Sequence, residues 1–193
     1  MIELKEKFSV PAPPDEVWPL ISDPTVVAAC IPGAELTELT ADGAHRGKVT
    51  FKFGPTVAVF RGEARLTYDH PVKRCLIEAR GIDQKGASRA RARFEVEARG
   101  IDTTDVTLEG GFEVAGPLEM FASAGGVHVA RVLLAEFAAN IARVIEQRRA
   151  GGSDSALEQA PAASGTKILG RALLEGARGI VGKSVGKNDK GST

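Results

Sequence analysis

Of cysteine, tryptophan, tyrosine and histidine the 193 residues hold two, one, one and three. Cys30 and Cys75 lie far apart and form no Cys-x-x-Cys pair, which excludes a disulfide framework or a thiolate zinc site and reads both as reduced packing residues. His45, His70 and His128 have no metal-ligand spacing, and none pairs with a carboxylate or nucleophile in a recognisable motif, so no metal site and no catalytic residue is expected. Charge of one sign is missing too. Twenty-five basic residues balance 25 acidic ones, which argues against a generic nucleic-acid binder. Apolar runs are broken by charge or glycine well before about 18 residues, so no bilayer-spanning helix is expected. The opening MIELKEKFSV lacks the basic and apolar regions of a signal peptide, and a cytoplasmic protein is expected.

What is present is the balance of a globular chain: 43% hydrophobic, 26% charged, with mean hydropathy near zero. The length suits one domain of about 100–200 residues. Residues 1–150 carry 19 basic against 21 acidic side chains. Residues 151–164, rich in Gly, Ala, Ser and Pro, read as a flexible linker. Residues 165–193 carry six basic residues against two acidic ones. A mildly acidic domain is thus tethered to a basic tail.

Within 1–150 the dominant signal is period two, the mark of half-buried antiparallel strands. His45, Gly47, Val49, Phe51 and Phe53 alternate with Arg46, Lys48, Thr50 and Lys52. Ala58, Phe60, Gly62, Ala64, Leu66 and Tyr68 form the next apolar set. Cys75, Ile77 and Ala79 follow, then Ala90, Ala92, Phe94, Val96 and Ala98, then Val106, Leu108, Gly110, Phe112 and Val114. Turn signals fall at Asp42-Gly43, Gly54-Pro55, His70-Pro71 and Gly100. Two stretches break the period. Pro14-Asp15-Glu16-Val17-Trp18 opens a short helix, and a second turn follows Asp23-Pro24. Over 118–149 the spacing becomes helical, with Phe121, Gly125, Val129, Val132, Leu133, Phe137, Ile141, Val144 and Ile145 on one stripe. The expected fold is α+β, a helix grip: a curved antiparallel sheet of about six to seven strands wrapped around a long C-terminal helix.

The inward positions mix phenylalanine with small residues: Gly47, Gly62, Ala64, Ala90, Ala92 and Gly110, facing a helix that starts Ala122-Ser123-Ala124-Gly125-Gly126. Two readings are open. Small residues leave an apolar cavity for a hydrophobic ligand, or they let a bent sheet and a close helix form a solid core. The candidate lining is Val49, Phe51, Phe53, Phe60, Ala64, Leu66, Tyr68, Ala92, Phe94, Leu108, Phe112, Phe121 and Gly125, with His45 among the inward polar groups. Its expected mouth lies between the 23–33 segment and the start of the long helix, both irregular or thinly packed.

Residues 177–184 fit a loose phosphate-loop pattern ending Gly182-Lys183-Ser184. No strand precedes them and no parallel sheet surrounds them, so the match is rejected. The tail reads instead as an amphipathic surface helix. Leu169, Leu173, Ile180 and Val181 are apolar points, flanked by Lys167, Arg171, Arg178 and Lys183, a pattern suited to an anionic membrane surface or to a partner protein.

With these elements placed, the chain resembles the G-subunit family of carbon monoxide dehydrogenase, within the START-like (SRPBCC) helix-grip superfamily. The resemblance rests on Pro11-Ala12-Pro13, Val17-Trp18, Asp23-Pro24 and Ala28-Ala29-Cys30-Ile31-Pro32-Gly33, then Gly47, Gly54-Pro55, Phe60-Arg61-Gly62 and Gly116-Pro117-Leu118. It spans nearly all of 1–150, and Cys30-Ile31-Pro32-Gly33 is its most specific part. His45 departs from it, standing where an aromatic is expected. The resemblance implies a non-catalytic accessory protein of a molybdenum-containing carbon monoxide dehydrogenase or related molybdenum hydroxylase, peripheral to the inner face of the cell membrane. The apolar interior adds an isoprenoid quinone, menaquinone or ubiquinone, as expected ligand, its carbonyl oxygens met by His45, Tyr68 or Ser88. Two alternatives stand beside this: a recruitment adaptor with a filled core, and a cyclase or dehydratase of the same fold.

Overall fold

A computed structural model describes residues 1–53 and 56–151, with side chains described outside 52–56. The elements run β1 (Ile2–Val10), α1 (Pro14–Ile21), α2 (Pro24–Cys30), β2 (Ala34–Leu39), β3 (His45–Phe53), β4 (Thr56–Asp69), β5 (Arg74–Asp83), β6 (Arg89–Gly100), β7 (Thr104–Ala115) and α3 (Glu119–Arg149). The seven strands form one antiparallel sheet in the order β1-β7-β6-β5-β4-β3-β2. This is the expected helix grip. The linker 151–164, the tail 165–193 with all its candidate membrane residues, and the rejected phosphate-loop match lie outside the described residues, apart from Gly151.

Local chemistry accounts for the element starts. Pro14 and Pro24 occupy first helical positions, where a missing N–H costs nothing. The Asp23 carboxylate accepts from the Thr25 and Val26 amides at 2.8 and 3.4 Å, capping α2. The one strand that alternation does not reveal is β2. Its register slips between Leu36 and Glu38, and a bulge on an edge strand breaks the two-residue period that betrays the others.

The packed core occupies only one end of the molecule. Val10, Val17, Leu20, Val26 and Cys30 surround Phe137, Ile141, Val144 and Ile145 from the second half of α3. A smaller cluster joins Trp18 to Cys75, Ala98 and Val106. Asn140 Nδ2 donates to the Cys30 carbonyl at 2.8 Å, Arg149 pairs with Glu16, and Arg131 pairs with Glu6 at 2.6 Å. These contacts fix α3 to β1, α1 and α2. Its first half bridges the concave sheet instead of sinking into it.

That geometry corrects one expectation. α3 holds an 18-residue stretch of mean hydropathy 1.2, long and apolar enough by length and composition to cross a membrane, yet only 11% of it is buried. Counting unbroken apolar runs missed it, because the isolated charges Arg131 and Glu136 interrupt a stretch whose other residues are mostly apolar.

A candidate hydrophobic-ligand cavity

The register explains why the concave face is hollow. Gly47, Gly62, Gly81 and Ala90 stand directly opposite one another on β3, β4, β5 and β6. The next inward row is His45, Ala64, Ala79, Ala92 and Phe112. Two rows of small residues, scattered along the sequence, thereby become one contiguous floor. The glycine row is also a crease. A Cβ on Gly62 would lie 2.0 Å from the Arg80 carbonyl oxygen and one on Gly47 2.5 Å from that of Glu35, so the strands curl here to a degree that side chains forbid.

Between this floor and α3 lies a cavity of about 620 Å³, within the range of about 300–1,000 Å³ usual for small-molecule sites. Val49, Phe51, Phe60, Ala64 and Leu66 line it from β3 and β4, and Ala92, Phe94, Leu108 and Phe112 from β6 and β7. Phe121, Ala122, Gly126, Leu133 and Phe137 face them from α3, and Pro24, Val27 and Ile31 line it from α2 and the residue that follows it. Phe51 and Phe60 meet edge to face at 6.2 Å. Most of these side chains are only half-buried, because their inner surfaces face open space.

The polar groups at the boundary divide into two kinds. Glu35 is paired with Lys48 at 2.8 Å and Glu63 with Arg80 at 2.6 Å, so those charges are met. His45 is different. It lines the cavity, and its Nδ1 is the one buried side-chain polar atom among the described residues without a hydrogen-bond partner. An unmet buried donor or acceptor costs about 1–3 kcal/mol, a cost that a bound oxygen atom would relieve.

Three candidate residues are placed otherwise than the alternation suggests. Tyr68 does not line the cavity; it stacks on His70 at 5.3 Å and meets the Trp18 ring edge to face, while Trp18 Nε1 donates to His70 Nδ1 at 3.0 Å. Burial, then the Cys75 and Asp23 charges, push its phenol up to about 12. Period two selects the correct face of β4 but not how far along that face the helices cover it. Ser88 is buried in structure: its hydroxyl accepts from the Leu118 amide at 3.1 Å and its amide binds the Asp83 carboxylate. Gly125 points away from the lining and Gly126 takes its place, where a Cβ would strike the Phe112 ring at 2.8 Å. The stripe holds at Phe121, Val129 and Leu133, which line the cavity, and slips by one position at Gly125, where two adjacent glycines have no side chain to mark a face. The Phe53 side chain lies outside those described. Among the described residues no group of His, Cys, Asp and Glu is placed to hold a metal ion.

The profile of one family, the G subunit of carbon monoxide dehydrogenase (CoxG), matches residues 7–146, from the second half of β1 to the last turn of α3. The chain belongs to the CoxG family. Membership carries a coarse functional statement, an accessory role of the CoxG kind beside carbon monoxide dehydrogenase. No curated protein sequence matches the chain significantly. Solved structures confirm the fold of this CoxG member. A conserved protein from Geobacillus kaustophilus superposes with TM-score 0.68 at 18% identity, covering 76% of this chain and 96% of that one. The Zhui aromatase/cyclase from Streptomyces sp. R1128 gives 0.55 at 16% identity, covering 78% and 98%. A norcoclaurine synthase mutant from Thalictrum flavum gives 0.52 at 16%, covering 76% and 95%. At these identities the likeness speaks for the START-like helix grip alone.

Proposed function

We propose that this CoxG member binds an isoprenoid quinone in its cavity and carries it between the cytoplasmic membrane and a molybdenum-containing carbon monoxide dehydrogenase. The observation that carries the reading is the apolar cavity lined by His45, whose Nδ1 is the one unmet buried side-chain polar atom among the described residues. A quinone is apolar along its isoprenoid chain and has carbonyl oxygens that accept hydrogen bonds. The Nδ1–H tautomer of His45 donates to one of them. Each methylene transferred from water adds about 0.8 kcal/mol, so a few isoprene units suffice for tight retention. The basic tail 165–193 supplies attachment to anionic lipid, each lysine or arginine adding about 1 kcal/mol near the headgroups. A soluble enzyme that oxidises its substrate needs such a link, because the quinone acceptor is dissolved in lipid.

The test is native mass spectrometry of the full chain purified from a respiring bacterium, followed by extraction and identification of what is released. A stoichiometric quinone is the expected result. Protein that is empty and takes up neither menaquinone nor ubiquinone at micromolar concentration overturns the reading. A second reading, an enzyme acting on a hydrophobic substrate, is favoured by the fold shared with the Zhui aromatase/cyclase and by His45 as a lone proton donor or acceptor. Turnover of a polyketide-like substrate that His45→Ala abolishes would establish it.

A further inference from the structure

Behind the cavity, on the convex face of the sheet, lies a second concavity of about 650 Å³. Two outward cross-strand rows build it. Lys48, Arg61, Ile82 and Arg89 stand opposite one another on β3 to β6, and Arg46, Glu63, Arg80 and Arg91 form the adjacent row. Its carboxylates are already engaged, Glu35 by Lys48 and Glu63 by Arg80. Arg61, Arg89 and Arg91 are exposed and make no ion pair or side-chain hydrogen bond among the described residues. Lys48 faces Arg61, and Arg80 faces Arg91, in direct register. Like charges so placed destabilise a sheet. This cationic excess sits in a domain whose acidic residues outnumber its basic ones, 21 to 19.

Other outward rows behave differently. Arg93 pairs with Glu78 at 2.6 Å, Arg74 with Glu95 and Glu97, and Lys7 with Asp105. Three arginines without an ion pair among the described residues gather in the groove along the glycine crease, where Ile82, 49% exposed, lies between Arg61 and Arg89, and Glu113 of β7 stands opposite Arg91 at its edge. We propose that this groove docks an acidic segment of a protein partner. Resting on the function proposed above, that partner is the dehydrogenase. Guanidinium groups bind carboxylates through paired, planar hydrogen bonds, and arginines around an exposed apolar residue are the composition of interface anchors. Shape selects protein over lipid. A protruding chain enters a concavity that a planar bilayer would only bridge. The crease residues Gly47, Gly62 and Gly81 border both cavity and groove, so a partner seated there lies one layer of backbone from the ligand.

The experiment compares the full chain with the triple variant Arg61→Gln, Arg89→Gln, Arg91→Gln and with Arg93→Gln, whose arginine already has a partner. Three probes are used: fluorescein-labelled hexaglutamate, purified dehydrogenase holoenzyme, and vesicles of 4:1 neutral to anionic phospholipid, a ratio set at about that value to keep surface charge moderate. The triple variant is expected to lose about tenfold or more in affinity for hexaglutamate and for the holoenzyme, with a shallower salt dependence. Arg93→Gln is expected to bind as the unmodified chain does, the triple variant to keep or raise the thermal midpoint as facing like charges are removed, and both variants to keep vesicle binding. Unchanged hexaglutamate affinity in the triple variant overturns the proposal, as does selective loss of vesicle binding. If groove-dependent hexaglutamate binding is seen while the unmodified chain ignores the holoenzyme, the groove stands and the dehydrogenase assignment falls.

Discussion

His45 faces a cavity whose other lining is almost wholly apolar, and its Nδ1 has no partner among the described residues. If the ring served packing, His45→Leu would destabilise the fold; as a ligand contact it should not. We expect His45→Leu to hold or raise the thermal midpoint, since an unmet buried polar atom disappears, and to weaken quinone binding about tenfold, the value of a modest hydrogen bond. Asp83 is the opposite kind of residue, a buried carboxylate whose bonds are made. Burial pushes it up, but the Ser88 and Lys85 amides outweigh burial and hold it below the ordinary carboxylate range. A lowered folded-state value means that its stabilisation is present above the unfolded value of about 3.9 and is lost as pH falls through the folded one. Asp83→Asn should therefore lower stability at pH values near neutrality and flatten the acid limb, read by denaturant titration across the acid range. Cys30 and Cys75 are both buried and free, and burial pushes each thiol up to about 11. Neither should react with a disulfide reagent near neutral pH until the chain is unfolded.

Among the elements, the glycine crease and the start of α3 make opposite demands on glycine. Gly62 has no room, its virtual Cβ meeting the Arg80 carbonyl at 2.0 Å, whereas nothing lies within 4 Å of one on Gly125. Gly62→Ala is expected to cost about 3 kcal/mol or to flatten the sheet. Gly125→Ala should stabilise by about 0.5–1 kcal/mol through helix propensity and chain entropy. Thermal melts of the pair decide this, and equal effects would contradict the crease. The strands were legible from alternation, and α1 and α2 from Pro14, Pro24 and the Asp23 cap. The β2 strand was not, since a bulge removes the period, and the phase of α3 near Gly125-Gly126 was not, since two adjacent glycines leave a helix without a marked face.

At the scale of the whole molecule, packed core and cavity divide the grip between them. Ile141 is fully buried, while Phe94 is half-buried on the cavity wall. Ile141→Ala is expected to cost about 2–5 kcal/mol by opening a hole in packed surroundings. Phe94→Ala should cost distinctly less, because the ring already borders empty space, and should change the ligand retained after purification. Denaturant titration with extraction of bound ligand checks both. Ala92→Phe, which projects bulk into the floor, should leave the fold intact and exclude the ligand. Deleting residues 165–193 should abolish sedimentation with anionic vesicles without shifting the thermal midpoint, if the tail supplies the membrane contact proposed for it.

Period two, a helical stripe and the placement of proline and glycine are properties of neighbours along the chain, so the sequence by itself determined the α+β class, nearly all elements and their inward faces. It also contained the family resemblance, in segments such as Cys30-Ile31-Pro32-Gly33. Whether small inward residues make a solid core or a cavity depends on what stands opposite them, which is a matter of register and of how closely a helix approaches. Only the tertiary structure aligned Gly47, Gly62 and Gly81 with one another and Ala64, Ala79 and Ala92 beside them, and held the first half of α3 off the sheet by locking its second half against α1 and α2. The same registration left His45 Nδ1 without a partner in the cavity and gathered three arginines without an ion pair behind it, among the described residues, because strand pairing brings together residues that distance along the chain keeps apart.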